Sequence, residues 1–419
     1  MAPDGWTIQP GENISSKITK GQSPGWQGFT YQDHGVLFVT SENVRDGMLD
    51  VSRPKFLSEE FNEKLKGSQL SPGDILINIV GASIGRSCMF RLVDTAANIN
   101  QAVCLFRPNE RAHGDYVAQY LQLQSVKNRL IGTQSESARP NLTLGDIRAF
   151  PFLLPSLIEQ KKIAQILSTW DKAIDKVERL IENSKAQKKA LMQRLLLGSE
   201  RLPGFEGKWN VRHLEEVTVI AVSPVDKKSS PGEETVRLCN YTDVYYNDHI
   251  LDDMDFMVAT ASNNEIERFS LRQGDVVITK DSETPDDIAI PAYVEQELNG
   301  VVCGYHLAII RPDTDLADGQ FLAYLFSLPH TRYYFFTLAN GATRFGLGVE
   351  SIRRASFSLP QIEEQKAIAK IIRTADAELF SLRKQLGALR EEKKALMQQL
   401  LTGKRRVTVT DQDREPASA

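Results

Sequence analysis

Leu154-Pro155-Ser156-Leu157-Ile158-Glu159-Gln160-Lys161-Lys162-Ile163-Ala164 returns as Leu359-Pro360-Gln361-Ile362-Glu363-Glu364-Gln365-Lys366-Ala367-Ile368-Ala369. The first run ends in Lys188-Lys189-Ala190-Leu191-Met192-Gln193 and the second in Lys393-Lys394-Ala395-Leu396-Met397-Gln398. The offset is 205 residues at both ends, and no gap is needed across the 45 positions 154–198 and 359–403, of which 19 are identical. A repeat this long without an insertion is one structural unit used twice.

The repeated unit is predicted to be a helix. Ser156 is placed to cap it, and Glu159 follows at capping-box spacing. Apolar residues recur at alternating four and three: Ile163, Leu167, Trp170, Ile174, Val177, Ile181, then Leu191 and Leu195. The second copy gives Ile368, Ile372, Ala375, Leu379, Leu382, Leu386, Leu389, Leu396 and Leu400. This is a heptad seam. Gly198 and Gly403 sit just past the last turn, where helices commonly stop. At 1.5 Å per residue, ~40 residues make a rod of roughly 60 Å. Two helices with one seam are each other's obvious partners, and an approximate two-fold axis between the halves requires them to run antiparallel. Lys188 and Lys393 share a seam position, where a lysine either fixes register or snorkels outward; snorkelling is the preferred reading.

A different module precedes each helix, and both read as mixed β with short helices. Strand-like runs are Val36–Val39, Ile75–Val80 and Val103–Phe106 in the first, and Val236–Cys239, Val276–Ile278 and Leu307–Ile310 in the second. Helices are expected over Asp115–Leu130 and Phe321–Leu328. Gly73-Asp74-Ile75-Leu76-Ile77 answers Gly274-Asp275-Val276-Val277-Ile278, and Arg107-Pro108 answers Arg311-Pro312. Arg139, Leu142 and Ile147 answer Arg344, Leu347 and Ile352 at the 205 offset. The modules share a plan and differ in surface.

At 419 residues, 41% hydrophobic and 25% charged, the chain has material for two or three globular domains. No apolar run reaches the ~18 residues needed to span a bilayer. Met1-Ala2-Pro3-Asp4-Gly5 carries no charged-then-apolar signal pattern, so a cytoplasmic location is expected. Cys88, Cys104, Cys239 and Cys303 form no C-x-x-C pair and lie in or beside apolar runs, as buried thiols do. The net charge of −4 is segregated: 0 over residues 1–153, +4 over 154–203, −11 over 204–358 and +3 over 359–419. The acidic second module departs from the basic patch expected of a nucleic-acid binder.

No catalytic signature stands. There is no G-x-x-x-x-G-K-[ST] loop, since Gly403-Lys404 is followed by Arg405. There is no H-E-x-x-H, and the six histidines are scattered. The tetrapeptide of amino-methyltransferases, Asn or Asp followed by Pro-Pro-aromatic, does not occur. Pro285-Asp286 could begin a nuclease motif, but Glu295-Gln296-Glu297 lacks the lysine that should follow. Gly81-Ala82-Ser83-Ile84-Gly85 resembles a phosphate-cradling loop only as strand-to-loop glycines commonly do. No metal site and no cofactor is expected.

Taken together, the doubled Leu-Pro-x-x-x-Glu-Gln-Lys-x-Ile-Ala, the closing Lys-Lys-Ala-Leu-Met-Gln and the Gly-Asp-Ile-Leu-Ile element resemble the DNA-specificity subunit of type I restriction–modification enzymes. The resemblance covers essentially the whole chain. It implies an α+β fold: two mixed α/β target-recognition domains joined by two long helices in an antiparallel coiled coil, with a pseudo-two-fold internal repeat. The expected divisions are domain 1 at 1–153, helix 1 at 154–203, domain 2 at 204–358, helix 2 at 359–403 and a disordered tail at 404–419. Each domain would read one half of a split, asymmetric site in double-stranded DNA, and the coiled coil would hold the unread spacer. Two methyltransferase (modification) subunits would dock on the chain, joined by nuclease/translocase (restriction) subunits. The chain itself would be a non-catalytic subunit. The alternatives are a coiled-coil scaffold that does not bind DNA, and a fragment of a fused methyltransferase or nuclease.

One DNA turn is ~34 Å, which suits two readers carried on such a rod. Base-reading candidates are polar residues just after the matched strands and near the module ends. They are Ser83, Arg86, Asn100, Arg139 and Asn141 in the first module, and Lys280, Asp281, Ser282, Tyr305 and Arg344 in the second.

Overall fold

The repeated segment is helical in both copies, Leu157–Leu196 and Ile362–Leu400. These bounds come from a computed structural model, which describes residues 2–132, 141–341 and 343–410. The chain forms two units, Met1–Glu178 with Lys384–Ala419, and Arg179–Arg383. The divisions fall inside the long helices, so each unit holds one module and half of each helix.

In the first unit a four-stranded antiparallel sheet runs Ser15–Lys20, Val103–Pro108, Ile75–Asn78, Ser87–Met89. A three-stranded sheet, Phe56–Leu57, Val36–Val39, Ala97–Ile99, lies on one side of it. Side chains alternate across a strand. Ile75 and Ile77 therefore enter the core shared with the helices, while Leu76 enters the core shared with the small sheet. That explains why Ile75-Leu76-Ile77-Asn78 is buried throughout. The second unit repeats the plan with Val276 and Ile278 in one core and Val277 in the other.

The first expected module helix is two helices, and the second is one helix followed by a further one. Gly114–Gln122 and Gln124–Gly132 break at Leu123, and Gly319–Ser327 and Pro329–Leu338 break at Leu328. Both leucines are extended and buried, spending one residue to turn the chain and fill the core. Pro329 enforces the second break, since its ring cannot continue a helix. No residue at the first break announces it.

Within each unit the long helices pair antiparallel. In the first unit Asp171 meets Lys393 at 2.6 Å and Glu178 meets Arg390 at 2.6 Å, so one number rises as the other falls. In the second unit Lys188 meets Asp376. Ile163, Leu167, Met397 and Leu400 share the first core, and Leu195, Ile368 and Ile372 the second. Val177, Ile181 and Leu379 are also buried. Ile174, Leu191, Leu382, Leu386, Leu389 and Leu396 are half-buried. Lys188 and Lys393 do not snorkel. Their side chains are 20% and 17% exposed and each is held by an aspartate of the facing helix. A carboxylate within reach outweighs the path to solvent.

The Glu-Gln of the repeated motif does structural work. Glu159 does not complete a capping box. Ser156 accepts from its backbone N–H at 3.4 Å, but its carboxylate binds Arg406 at 2.7 and 2.8 Å. Glu364 binds Arg201 in the same way at 2.6 and 2.7 Å. Gln160 accepts from the backbone of His113 at 2.7 Å, and Gln365 accepts from that of Asp318 at 3.0 Å, fastening each long helix to its module. The segment after Gly403 is accordingly not disordered from its start: Arg406 is ion-paired and Val407 packs on the first core. Residues 411–419 lie outside the described residues.

Gly198 and Gly403 end the helices in the left-handed region, at φ 67° and 71°. A Cβ at Gly198 would press on the Trp209 ring at 3.2 Å, and one at Gly403 would meet Pro3 at 2.5 Å. Glycine is required there for shape and for room.

Candidate nucleic-acid interface

In the second unit the strand Val276–Thr279 runs into Lys280, Asp281 and Ser282. Asp281-Ser282 pairs with Phe345-Gly346, which brings Arg344 alongside. Lys280 and His306 converge on Asp281 at 2.6 and 3.1 Å, and Arg344 Nη2 lies 3.1 Å from His306 Nε2. Burial raises the Asp281 pKa, but hydrogen bonds and charge from Lys280 and His306 outweigh it and hold the carboxyl below its ordinary value. The tyrosine ring of Tyr305 sits 4.0 Å from the His306 ring and is half exposed.

Asp281, Ser282, His306 and Arg344 border a cleft of about 430 Å³ whose far wall is aromatic. Tyr241 stacks on Tyr245 at 5.6 Å, and Tyr246 meets Tyr245 edge-on at 4.8 Å. The Tyr245 hydroxyl donates to Asp287 at 3.0 Å, which pushes its pKa up. His306 has φ 74°, a strained conformation for a residue with a Cβ. Such strain persists where the surroundings over-determine it, often at a functional site. The structure thus brings Lys280, Asp281, Ser282, Tyr305 and Arg344 together. Sequence reasoning missed His306 and the three tyrosines, although the i, i+4 spacing of Tyr241 and Tyr245 places two rings on one helical face.

The first unit is different. Ser83 lies in the turn Gly81–Ser83, and its hydroxyl accepts from Asn78 at 3.1 Å. Asn100 accepts from the backbone of Ala102 at 3.0 Å, and its own N–H donates to Val39 at 3.0 Å. Both side chains serve the local fold. Arg86 is half-exposed, and Asn141 is exposed beside a bridge to Val80. Arg139 lies outside the described residues. An open cleft of this module lies elsewhere, about 580 Å³ lined by Lys20, Gln22, Trp26, Gln27 and Gln101. Gln101 follows the strand Ala97–Ile99 as Tyr305 follows its counterpart Val301–Cys303. The same strand end therefore carries a cleft in both modules, with different side chains.

Among the described residues no group of three or more His, Cys, Asp or Glu is placed to hold a metal ion, and no helix is long and apolar enough to cross a membrane. All four cysteines are buried free thiols, and burial pushes Cys88 and Cys104 up to about 12.

The sequence matches the type I restriction modification DNA specificity domain twice, over residues 29–183 and 206–388. The chain belongs to this specificity family. Among relatives, the StySPI specificity subunit of Salmonella potsdam is 22% identical, over 95% of this chain and 88% of that protein. The MjaVIII specificity subunit of Methanocaldococcus jannaschii is 26% identical, over 97% and 94%. The fold is also that of the S subunit of a type I restriction–modification system from M. genitalium, at TM-score 0.56 and 15% identity, covering 97% of both chains. A chain from a structural study of type I assembly and conformational transition gives TM-score 0.57 at 17% identity, over 96% and 98%. The family match accounts for the two specificity domains.

Proposed function

We propose that this chain is the DNA-recognition subunit of a type I restriction–modification complex and is itself non-catalytic. The modules at 1–153 and 204–358 each read one half of a bipartite, asymmetric site. The helices at 154–203 and 359–403 form an antiparallel coiled coil that sets the unread spacer. The observation that carries this is the duplicated frame with divergent clefts: the cleft beside one strand end is lined by Gln101 and Trp26 in one module, and by His306 and Arg344 in the other. Two copies of one fold with different chemistry at one place suit two different half-sites.

Docking of two modification subunits is supported by the repeat itself. None of the sixteen pairs between 172–187 and 377–392 is identical, yet both helix ends are preserved. The preserved residues include exposed ones: Lys161 and Lys366, Thr169 and Thr374, Lys189 and Lys394, Gln193 and Gln398. Packing does not require an exposed lysine or glutamine to stay the same. A partner bound twice does. The restriction subunits join such a complex, which works on DNA in the cytoplasm.

The test is a genome-wide adenine-methylation map of cells with and without the gene. A split motif should vanish with it. Replacing 1–153 with the module of a relative should change one half-site only; loss of both halves in a folded, partner-bound hybrid would refute the modular reading. Purified alone, the chain is expected to show no turnover with S-adenosylmethionine, Mg²⁺-ATP and DNA. Activity that survives rigorous purification and tracks the chain would overturn its non-catalytic role.

A further inference from the structure

Among the described residues Trp26 is the most exposed large apolar side chain, at 92%. Its backbone is well fixed. Pro24 starts a short 3₁₀ turn, Gly25–Gln27, and Gly28 closes it at φ 84° with its N–H on Gly25. Phe29 then anchors the turn by packing edge-on against Phe61 at 5.4 Å. The indole is therefore held out in water by a rigid support, which costs hydration free energy unless something covers it. Gln22, Gln27 and Gln101 line the same cleft, and Lys20 stands at its edge. Lys64 lies 5.4 Å over Phe29 and Lys55 lies 5.8 Å over Tyr31, so cations and aromatic rings interleave along this face.

We propose that Trp26, Gln22, Gln27 and Gln101 are the base-reading element of the first module, and that the ligand is duplex DNA rich in adenine at the contacted step. The inference rests on the reading of the modules as DNA readers. Carboxamides match the N6 and N7 edge of adenine, an indole stacks on or wedges between bases, and lysines take the phosphates. The place agrees: Gln101 follows the strand whose counterpart in the second module leads to His306 and its cleft. Lys20 and Lys64 supply cations for phosphates here, while Lys55 is paired with Glu42.

The test uses the chain assembled with its modification subunits. Trp26→Ala should keep the melting temperature, because the side chain packs on little, and should weaken binding to the cognate duplex about tenfold or more. Trp26→Phe should restore most of it. Gln101→Ala should relax the methylation motif at positions of one half-site and leave the other half intact. Unchanged affinity in Trp26→Ala together with an unchanged motif in Gln101→Ala, in a complex whose wild type methylates a split site, would overturn this assignment alone. Release of a modification subunit by Trp26→Ala, with DNA reading unaltered in what remains assembled, would overturn it in favour of a protein contact. A wild-type complex with no sequence preference at all would instead remove the DNA-reader function, and this inference with it.

Discussion

Arg107→Ala is expected to lower the stability of the first unit by about 3 kcal/mol, near the bottom of the ~3–5 kcal/mol range for stripping one partner from a buried ion pair. Asp74 is 1% exposed and receives the Arg107 guanidinium at 2.6 and 2.8 Å. The Ser71 N–H also donates to it at 2.7 Å. Hydrogen bonding to Asp74 is the main reason the Arg107 pKa is raised. Alanine would leave a carboxylate buried at the start of the strand Ile75–Asn78 with one backbone donor. The Arg107 side chain is 32% exposed, so water can partly replace it, which sets the lower bound of the range. For 150–250 residues each kcal/mol shifts melting by ~2–4 °C, which makes a fall on the order of 10 °C. Calorimetry of the assembled chain should show it. Asp74→Asn added to Arg107→Ala should recover part of the loss, because it removes the stranded charge. Equal melting of wild type and Arg107→Ala would mean that the pair contributes nothing. Arg311→Ala should act likewise in the second unit, where Arg311 holds Asp275 at 2.8 and 2.7 Å.

This ion pair shows what the sequence made legible and what it hid. Gly73-Asp74 and Arg107-Pro108 stood out as landmarks matched in both modules, and they mark the strands correctly. That the aspartate and arginine hold each other across adjacent strands could not be read from residues 33 apart. The long helices were legible because a 205-residue repeat and a heptad period are local patterns repeated many times. The use of Glu159 was not, because its partner Arg406 lies 247 residues on and looked like part of a polar tail. Lys188 and Lys393 were misread for the same reason, since Asp376 and Asp171 are local neighbours only once the helices pair. In the second module, of the residues expected after matched strands and near module ends, Asp281, Ser282 and Arg344 line one cleft, and Lys280 and Tyr305 adjoin its Asp281 and His306. In the first, Ser83 and Asn100 hold such positions, and their side chains are consumed by turns. Small polar residues after strands build turns as readily as they bind ligands. Trp26 escaped because its exposure, not its identity, is the signal, and exposure has no sequence period.

Lengthening both helices should change the spacer and nothing else in the recognised sequence. Seven residues inserted after Arg179 and seven after Lys384 would extend each helix by ~10 Å, two helical turns, or about three base pairs. The sites are chosen from the pairing within each unit. The contact of Asp171 with Lys393 belongs to the first unit and that of Lys188 with Asp376 to the second, and both insertions leave these pairs untouched. Each insertion also falls within the stretch where the two copies share no residue, so no preserved surface is cut. A heptad keeps the seam in phase, so the inserted turns can pack. The modules and their clefts are unaltered, so each half-site should be read as before. The methylation map should therefore show the same two half-sites separated by about three more base pairs, with lower efficiency where the new helical phase suits the modification subunits less. An insertion in one helix alone cannot pair along its length and should abolish methylation. Unchanged spacing after the double insertion would show that the modules, rather than the helices, set the distance. Altered half-sites would show that the helices take part in reading bases. The two results fail different parts of the proposal: the first removes the spacer role and leaves base reading in the modules, and the second does the reverse.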